Sequence, residues 1–244
     1  MIPERRQIES SSTSVGDVGS TAPEPQPNPL SEDLALAQLK RSDLSDSDIE
    51  ELAKDTALLK SRKVRFAMAS HPHAPRRLSL RLIRELYTFD LMRFSLMPAV
   101  AADLKRMAAE LLVGRLESIT LGERISLARR CSAKVAATLL LDKEPGVWQA
   151  ALENQRLAEA AVTNAVQRPS ATAGVVEAIC HHSKWSVRPE VRAALLRSPH
   201  TPLASALQFA RSLPPAKLRD ILHTSRLPEK TKAYLLKNLD RRTK

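Results

Sequence analysis

The groups that could do chemistry in this chain are six histidines, two cysteines and a large excess of arginine and lysine. His71 and His73 flank Pro72, and Cys180, His181 and His182 are contiguous. A zinc site needs donors that converge, as in paired CxxC or HExxH spacing. Adjacent residues on a helix point about 100° apart and do not readily share a metal. No metal or other cofactor is therefore expected. Cys131 follows Arg129 and Arg130, and nearby positive charge can lower a thiol pKa. A nucleophile also needs a base and an orienting acid. No GxSxG, Cys–His signature or P-loop occurs, and Gly114, Gly122, Gly146 and Gly174 are isolated. Paired carboxylates cluster mainly near the N-terminus, in a stretch read as too mobile to hold catalytic geometry. The chain is read as non-enzymatic.

The basic residues are the stronger signal. Arg76, Arg77, Arg81 and Arg84 follow one Pro-His-x-Pro run, and Arg77, Arg81 and Arg84 are spaced to share one side of a helix. Arg129, Arg130 and Lys134 make a similar group. Charge is also split along the chain. The first 60 residues hold 6 Lys/Arg against 12 Asp/Glu, so with +11 overall the remainder carries +17. A basic body with an acidic arm points to an anionic partner: nucleic acid, an anionic membrane or an acidic protein. The acidic segment is expected to fold back over the basic surface as an intramolecular competitor. Aromatics are only 3% of residues, which disfavours base-stacking on single strands. Phe66, Phe94 and Phe209 are expected in the core, Trp148 is a candidate for exposure, and Trp185 for a plug between repeats.

These side chains must be positioned by helices. Leu, Ala and Val dominate the apolar fraction, and there are only 6 Gly. Ala and Leu are strong helix formers, and no segment alternates at period two. Residues 1–30, rich in Ser, Thr, Pro and Glu, are expected to form a disordered leader. Residues 31–56 read as an acidic helical segment with a capping box from Ser47 to Glu50, and residues 57–244 as helix after helix. Thr120 with Glu123 predicts a second box. Thr201-Pro202 predicts a hydroxyl N-cap followed by Pro at the first helical position, and Leu227-Pro228-Glu229 likewise places Pro there with an acid in the first turn. No apolar run reaches membrane-spanning length and the first residues do not read as a secretory signal, so a cytoplasmic protein with two buried, reduced thiols is expected.

The chain repeats itself. Val64-Arg-Phe-Ala-Met-Ala-Ser-His-Pro-His-Ala-Pro75 aligns without a gap to Val191-Arg-Ala-Ala-Leu-Leu-Arg-Ser-Pro-His-Thr-Pro202. A degenerate copy starts at Val147, with Gln155 and Ala158 where the prolines would stand. Pro72 and Pro199 should stop one helix, and Pro75 and Pro202 should open the next. His73 and His200 share a repeat position, which predicts an imidazole bonding loop backbone at the turn. One helical hairpin cannot cover its own apolar faces, whereas stacked neighbours can.

The Val-Arg-x-Ala-x-x-x-x-Pro-His-x-Pro pattern resembles the repeat of variant leucine-rich proteins and, more loosely, HEAT repeats, clearly at 64–86 and 191–213 and weakly at 147–166. The resemblance implies an all-α solenoid, a superhelix of short helical hairpins. It carries no iron–sulfur cluster across, because no cysteine-rich segment is present. The expected function is a scaffold presenting a basic repeat surface to a protein partner. Sequence-independent duplex nucleic-acid binding through the same surface is the alternative, and a repeat-built enzyme of glycosylase type is a weaker one.

Overall fold

In a computed structural model the chain is all-helical. The structure describes residues 31–243 apart from Ser42, and side chains as far as Arg241. The leader expected over 1–30 lies outside the described residues. Sixteen helices occur among the described residues, and no strand. The first half holds α1 (Glu32–Gln38), α2 (Asp46–Leu52), α3 (Thr56–Lys60), α4 (Arg62–Ser70), α5 (Arg76–Arg84), α6 (Thr88–Leu96), α7 (Ala102–Arg115) and α8 (Leu121–Arg130). The second holds α9 (Ala133–Leu139), α10 (Pro145–Leu152), α11 (Glu159–Gln167), α12 (Ala173–His181), α13 (Pro189–Leu195), α14 (Leu203–Arg211), α15 (Pro215–His223) and α16 (Glu229–Thr243).

Most of these helices have five to ten residues, too short to be stable alone in water. Their ends are therefore specified chemically. Thr120 and Glu123 form the expected capping box, with the Glu123 carboxylate accepting from Thr120 N–H at 2.9 Å. The first box is Ser45 with Asp48 rather than Ser47 with Glu50. Ser45 has the extended backbone of an N-cap, and the short Asp48 carboxylate reaches its N–H at 2.9 Å, which leaves Ser47 inside the first turn. Pro145, Pro189 and Pro215 open α10, α13 and α15. Pro75 and Pro202 stand one position earlier, at the N-cap. Thr201 is accordingly not a cap. Its buried hydroxyl donates to Leu195 O at 2.6 Å, closing the end of α13. Pro228 also precedes its helix, its carbonyl accepting from Thr231 and Lys232 N–H.

Packing runs between helices close in chain order. The series α5, α7, α9, α11 and α13 pack each on the next, as do α8, α10 and α12. Cross-contacts such as α4 with α5, α6 with α7 and α8 with α9 join the two rows. Buried alanines (Ala108, Ala128, Ala136, Ala151, Ala165, Ala194 and Ala206) let the backbones approach, and Leu, Val and Ile fill the remaining space. Phe94 and Phe209 are core residues as expected, with Phe66 half-buried edge-on to Phe94. Trp148 is buried at 6% exposure, against the sequence expectation, because its ring is covered beside α12 near Gly174. Trp185 joins the connection after α12 to α10, with its indole N–H on Leu152 O at 2.9 Å. The acidic segment 31–56 packs on this body through α1 and α3 against α4.

A polar residue after a helix recurs as the staple between neighbours. Asn154 is fully buried, its amide N–H donating to Ala128 O at 2.7 Å and Cys131 O at 3.2 Å, while its Oδ1 accepts from Arg156 N–H. His71 repeats the arrangement: Nδ1 accepts from His73 N–H, and Nε2 lies 3.2 Å from Arg41 O. Ser225 does so with Leu227 N–H and Leu196 O. Ser198 and His182 accept in the same way from the N–H two residues on. In a urea titration Asn154→Ala should cost about 2–4 kcal/mol, since it strips two buried hydrogen bonds and one part-buried one at once. Gln155→Ala, on the exposed next residue, should stay within about 0.5 kcal/mol in the same urea titration.

Candidate functional site

The histidines and cysteines lie apart in their roles. The imidazole that bonds loop backbone is His71, not His73; His73 and His200 are exposed and supply backbone N–H groups to residues 71 and 198. The polar acceptor sits one position before the proline, where the aligned copies carry His71, Asn154 and Ser198. That column, all hydrogen-bonding side chains of different kinds, was the signal available in the sequence. His182 faces Glu153 with Nε2 3.2 Å from Oε1, off hydrogen-bond geometry, whereas His181 is exposed. No group of three or more metal-ligating side chains forms among the described residues. Cys131 and Cys180 are free, buried thiols. Burial pushes the Cys131 thiol up to about 12 and the Cys180 thiol up to about 11, so Arg129 and Arg130 do not activate Cys131.

The first arginine stripe is partly compensated. Arg76 pairs with Asp103 on α7. Arg77 and Arg81 are exposed, and both line a cleft of about 810 Å³ with Glu50 of α2 and Glu85 at the end of α5. The acidic segment therefore does stand beside this stripe. Arg84 is exposed, and its carbonyl, like that of Leu86, accepts from the Arg115 guanidinium. In the second group Lys134 bonds Glu110 at 2.8 Å, and its ammonium holds the Glu110 carboxyl below the usual range. Arg129 and Arg130 are exposed at the end of α8, where Arg130 O accepts from Arg156. The seven cations thus do not converge on one groove lined by all of them.

Three arginines that the stripe argument overlooked do converge. Arg168 follows α11, Arg197 follows α13 and Arg226 follows α15, at a spacing of 29 residues in both steps. They line one cleft of about 510 Å³ together with His200, Gln167 and Thr224. No carboxylate is among its lining residues. The connections after α13 and α15 are tied to one another, Arg226 N–H donating to Arg197 O at 3.0 Å and Arg197 Nε to Thr224 Oγ1 at 3.4 Å. Arginine at a helix C-terminus complements the helix dipole. Elsewhere, however, arginines find acids: Arg62 bonds Asp90 through two nitrogens, and Arg124 bonds both oxygens of Asp142. The 29-residue spacing was legible in the sequence, but the repeat aligned there had offsets of 127 and 44 and did not align these positions.

Comparison with protein-family models, with curated proteins and with solved structures finds no match to this chain. No helix among the described residues is long and apolar enough to cross a membrane.

The thiols give a signed pH dependence. An unfolded thiol ionises near the ordinary value of 9.0, whereas the folded ones hold their protons to about 11 and about 12. Above pH 9 the unfolded chain binds fewer protons, so this contribution is full below that pH and is lost as pH rises through the folded values. The thermal midpoint should fall between pH 9 and pH 11, and the fall should be shallower in the double variant Cys131→Ala, Cys180→Ala. At pH 8 neither thiol should react with an aromatic disulfide reagent until denaturant is added.

Proposed function

We propose that this chain is a non-enzymatic interaction scaffold of the α-solenoid type, similar in design to variant leucine-rich and HEAT-like repeats. In this reading it works in the cytoplasm, and its basic helix-end connections are presented to a protein partner. The observation that carries the reading is the set of Arg168, Arg197 and Arg226, repeated every 29 residues on hydrogen-bonded connections and facing one carboxylate-free cleft. Cations held on fixed connections bind with less ordering cost than cations on mobile loops. The neighbour-to-neighbour packing of the helices supports a repeat array, in which each step sets down one more connection along the same row. Buried thiols of raised pKa and histidines bonded to backbone fit structural roles for the groups that chemistry would otherwise recruit.

Duplex nucleic acid is the competing partner, favoured by the +11 net charge. The two separate in one experiment. The full chain should retain a discrete protein partner after nuclease treatment, and the charge reversal Arg168→Glu, Arg197→Glu, Arg226→Glu should release it. Loss of the captured material on nuclease treatment, with duplex affinity falling steeply between low and physiological salt, would reverse the conclusion in favour of nucleic acid.

A further inference from the structure

We propose that the cleft between the connections after α11, α13 and α15 is a binding site for a phosphoryl group, with Arg168, Arg197 and Arg226 as its ligating cations. The inference deepens the scaffold reading by giving one site a ligand chemistry.

Three features of the cleft select this chemistry. The first is charge. Three arginines and one histidine are among the residues that line it, and no Asp or Glu is. Glu159 and Glu190 line a second groove that Arg197 and Gln167 also border, where Glu159 lies 3.9 Å from Arg188 and Glu190 3.7 Å from Lys217. Like charges gathered without a counterion repel, so an anion of more than one charge gains from all three. A phosphate monoester carries close to two negative charges and three acceptor oxygens, whereas a carboxylate carries one charge and two oxygens. The second is geometry. The guanidinium fork matches phosphate oxygens in bidentate fashion, which a lysine stripe would not. The Arg168 and Arg226 guanidiniums make no hydrogen bond or ion pair among the described residues, so their donors are available. The third is size and fixity. A cleft of about 510 Å³ exceeds a bare phosphate and leaves room for the group that bears it. Pro169 and Pro199 stiffen its walls, and Thr224 holds Arg197 in place.

A phosphoryl group can come from a phosphorylated peptide or from a small free phosphate compound, and the two probes below tell them apart. A phosphodiester backbone offers only one charge per phosphate and needs cations along an open track. The arginines converging in one cleft favour the monoester.

The test is a calorimetric titration of the full chain with inorganic pyrophosphate and, separately, with a capped phosphothreonine peptide and its unphosphorylated form. Binding of either phosphorylated probe is expected, with Arg197→Gln weakening it by about tenfold or more. Arg168→Gln and Arg226→Gln should weaken it similarly, and they carry the test if circular dichroism shows Arg197→Gln to be misfolded. Arg77→Gln, at the other arginine cluster, should change affinity by less than roughly twofold. Pyrophosphate binding alone would assign a free phosphate ligand; peptide binding would assign a phosphorylated chain. Silence of both probes would overturn the proposal, as would equal weakening by Arg77→Gln and Arg197→Gln, which means a diffuse field and no site. A short duplex that binds through Arg197 while both probes are silent would overturn it in favour of a phosphodiester backbone. The scaffold reading stands or falls on the capture experiment, and this site on the titration, so the two failures are distinguishable.

Discussion

Each short helix leaves a set of carbonyls at its C-terminal end without an intrahelical partner, and this chain multiplies that cost by ending helices again and again. The rest of the structure depends on how those carbonyls are satisfied. Water could serve them at an exposed end, but the ends here abut the next helix in the row. The solution is a polar side chain placed after a later helix and aimed back at an earlier helix end. Asn154 serves the end of α8, Ser225 the end of α13, and Trp185 the end of α10. Arg115 does the same from within α7, bonding carbonyls at the end of α5.

This arrangement explains why the core can be so plain. Its side chains are mostly Ala, Leu and Val, which pack closely but specify register weakly. A buried hydrogen bond with no substitute partner specifies register strongly, because a shifted helix would leave both donor and carbonyl unpaired. Asn154 has no exposed surface, so sliding α10 along α8 would break its bonds to both Ala128 O and Cys131 O. Apolar contacts supply the drive to stack, and the staples choose the step.

The same staples bear on function. A connection that is bonded at both its side chain and its backbone is a firm place from which to present a cation. The arginines at the helix ends inherit that firmness, and those at 168, 197 and 226 inherit the spacing of the row as well. Arginines along helix sides behave differently. Arg76, and with it Lys134, spends its charge on a carboxylate of the neighbouring helix, and Arg77 and Arg81 share their cleft with acids. Net charge therefore describes this surface poorly: opposite charges are interleaved over much of it and separated in one cleft.

The sequence by itself determined the all-helical class, one capping box and much of the core. Composition and the period of apolar residues are local properties, so the all-α class, the Thr120–Glu123 box and the burial of Phe94 and Phe209 were legible without any fold. Where reach of a side chain decided, sequence reasoning slipped by a few residues or chose the wrong member of a turn. Ser45 caps in place of Ser47, Thr201 closes the helix behind it, and His71 bonds backbone where His73 was expected to. Trp148 was misjudged because its cover comes from α12, more than twenty residues away. The cleft was beyond sequence reasoning for the same reason. Arg168, Arg197 and Arg226 are far apart in the chain and each looks like an ordinary helix-end cation. Only the packing of α11 on α13 and the bond between the connections after α13 and α15 decide that they line one space, and Glu159 and Glu190 line a different groove.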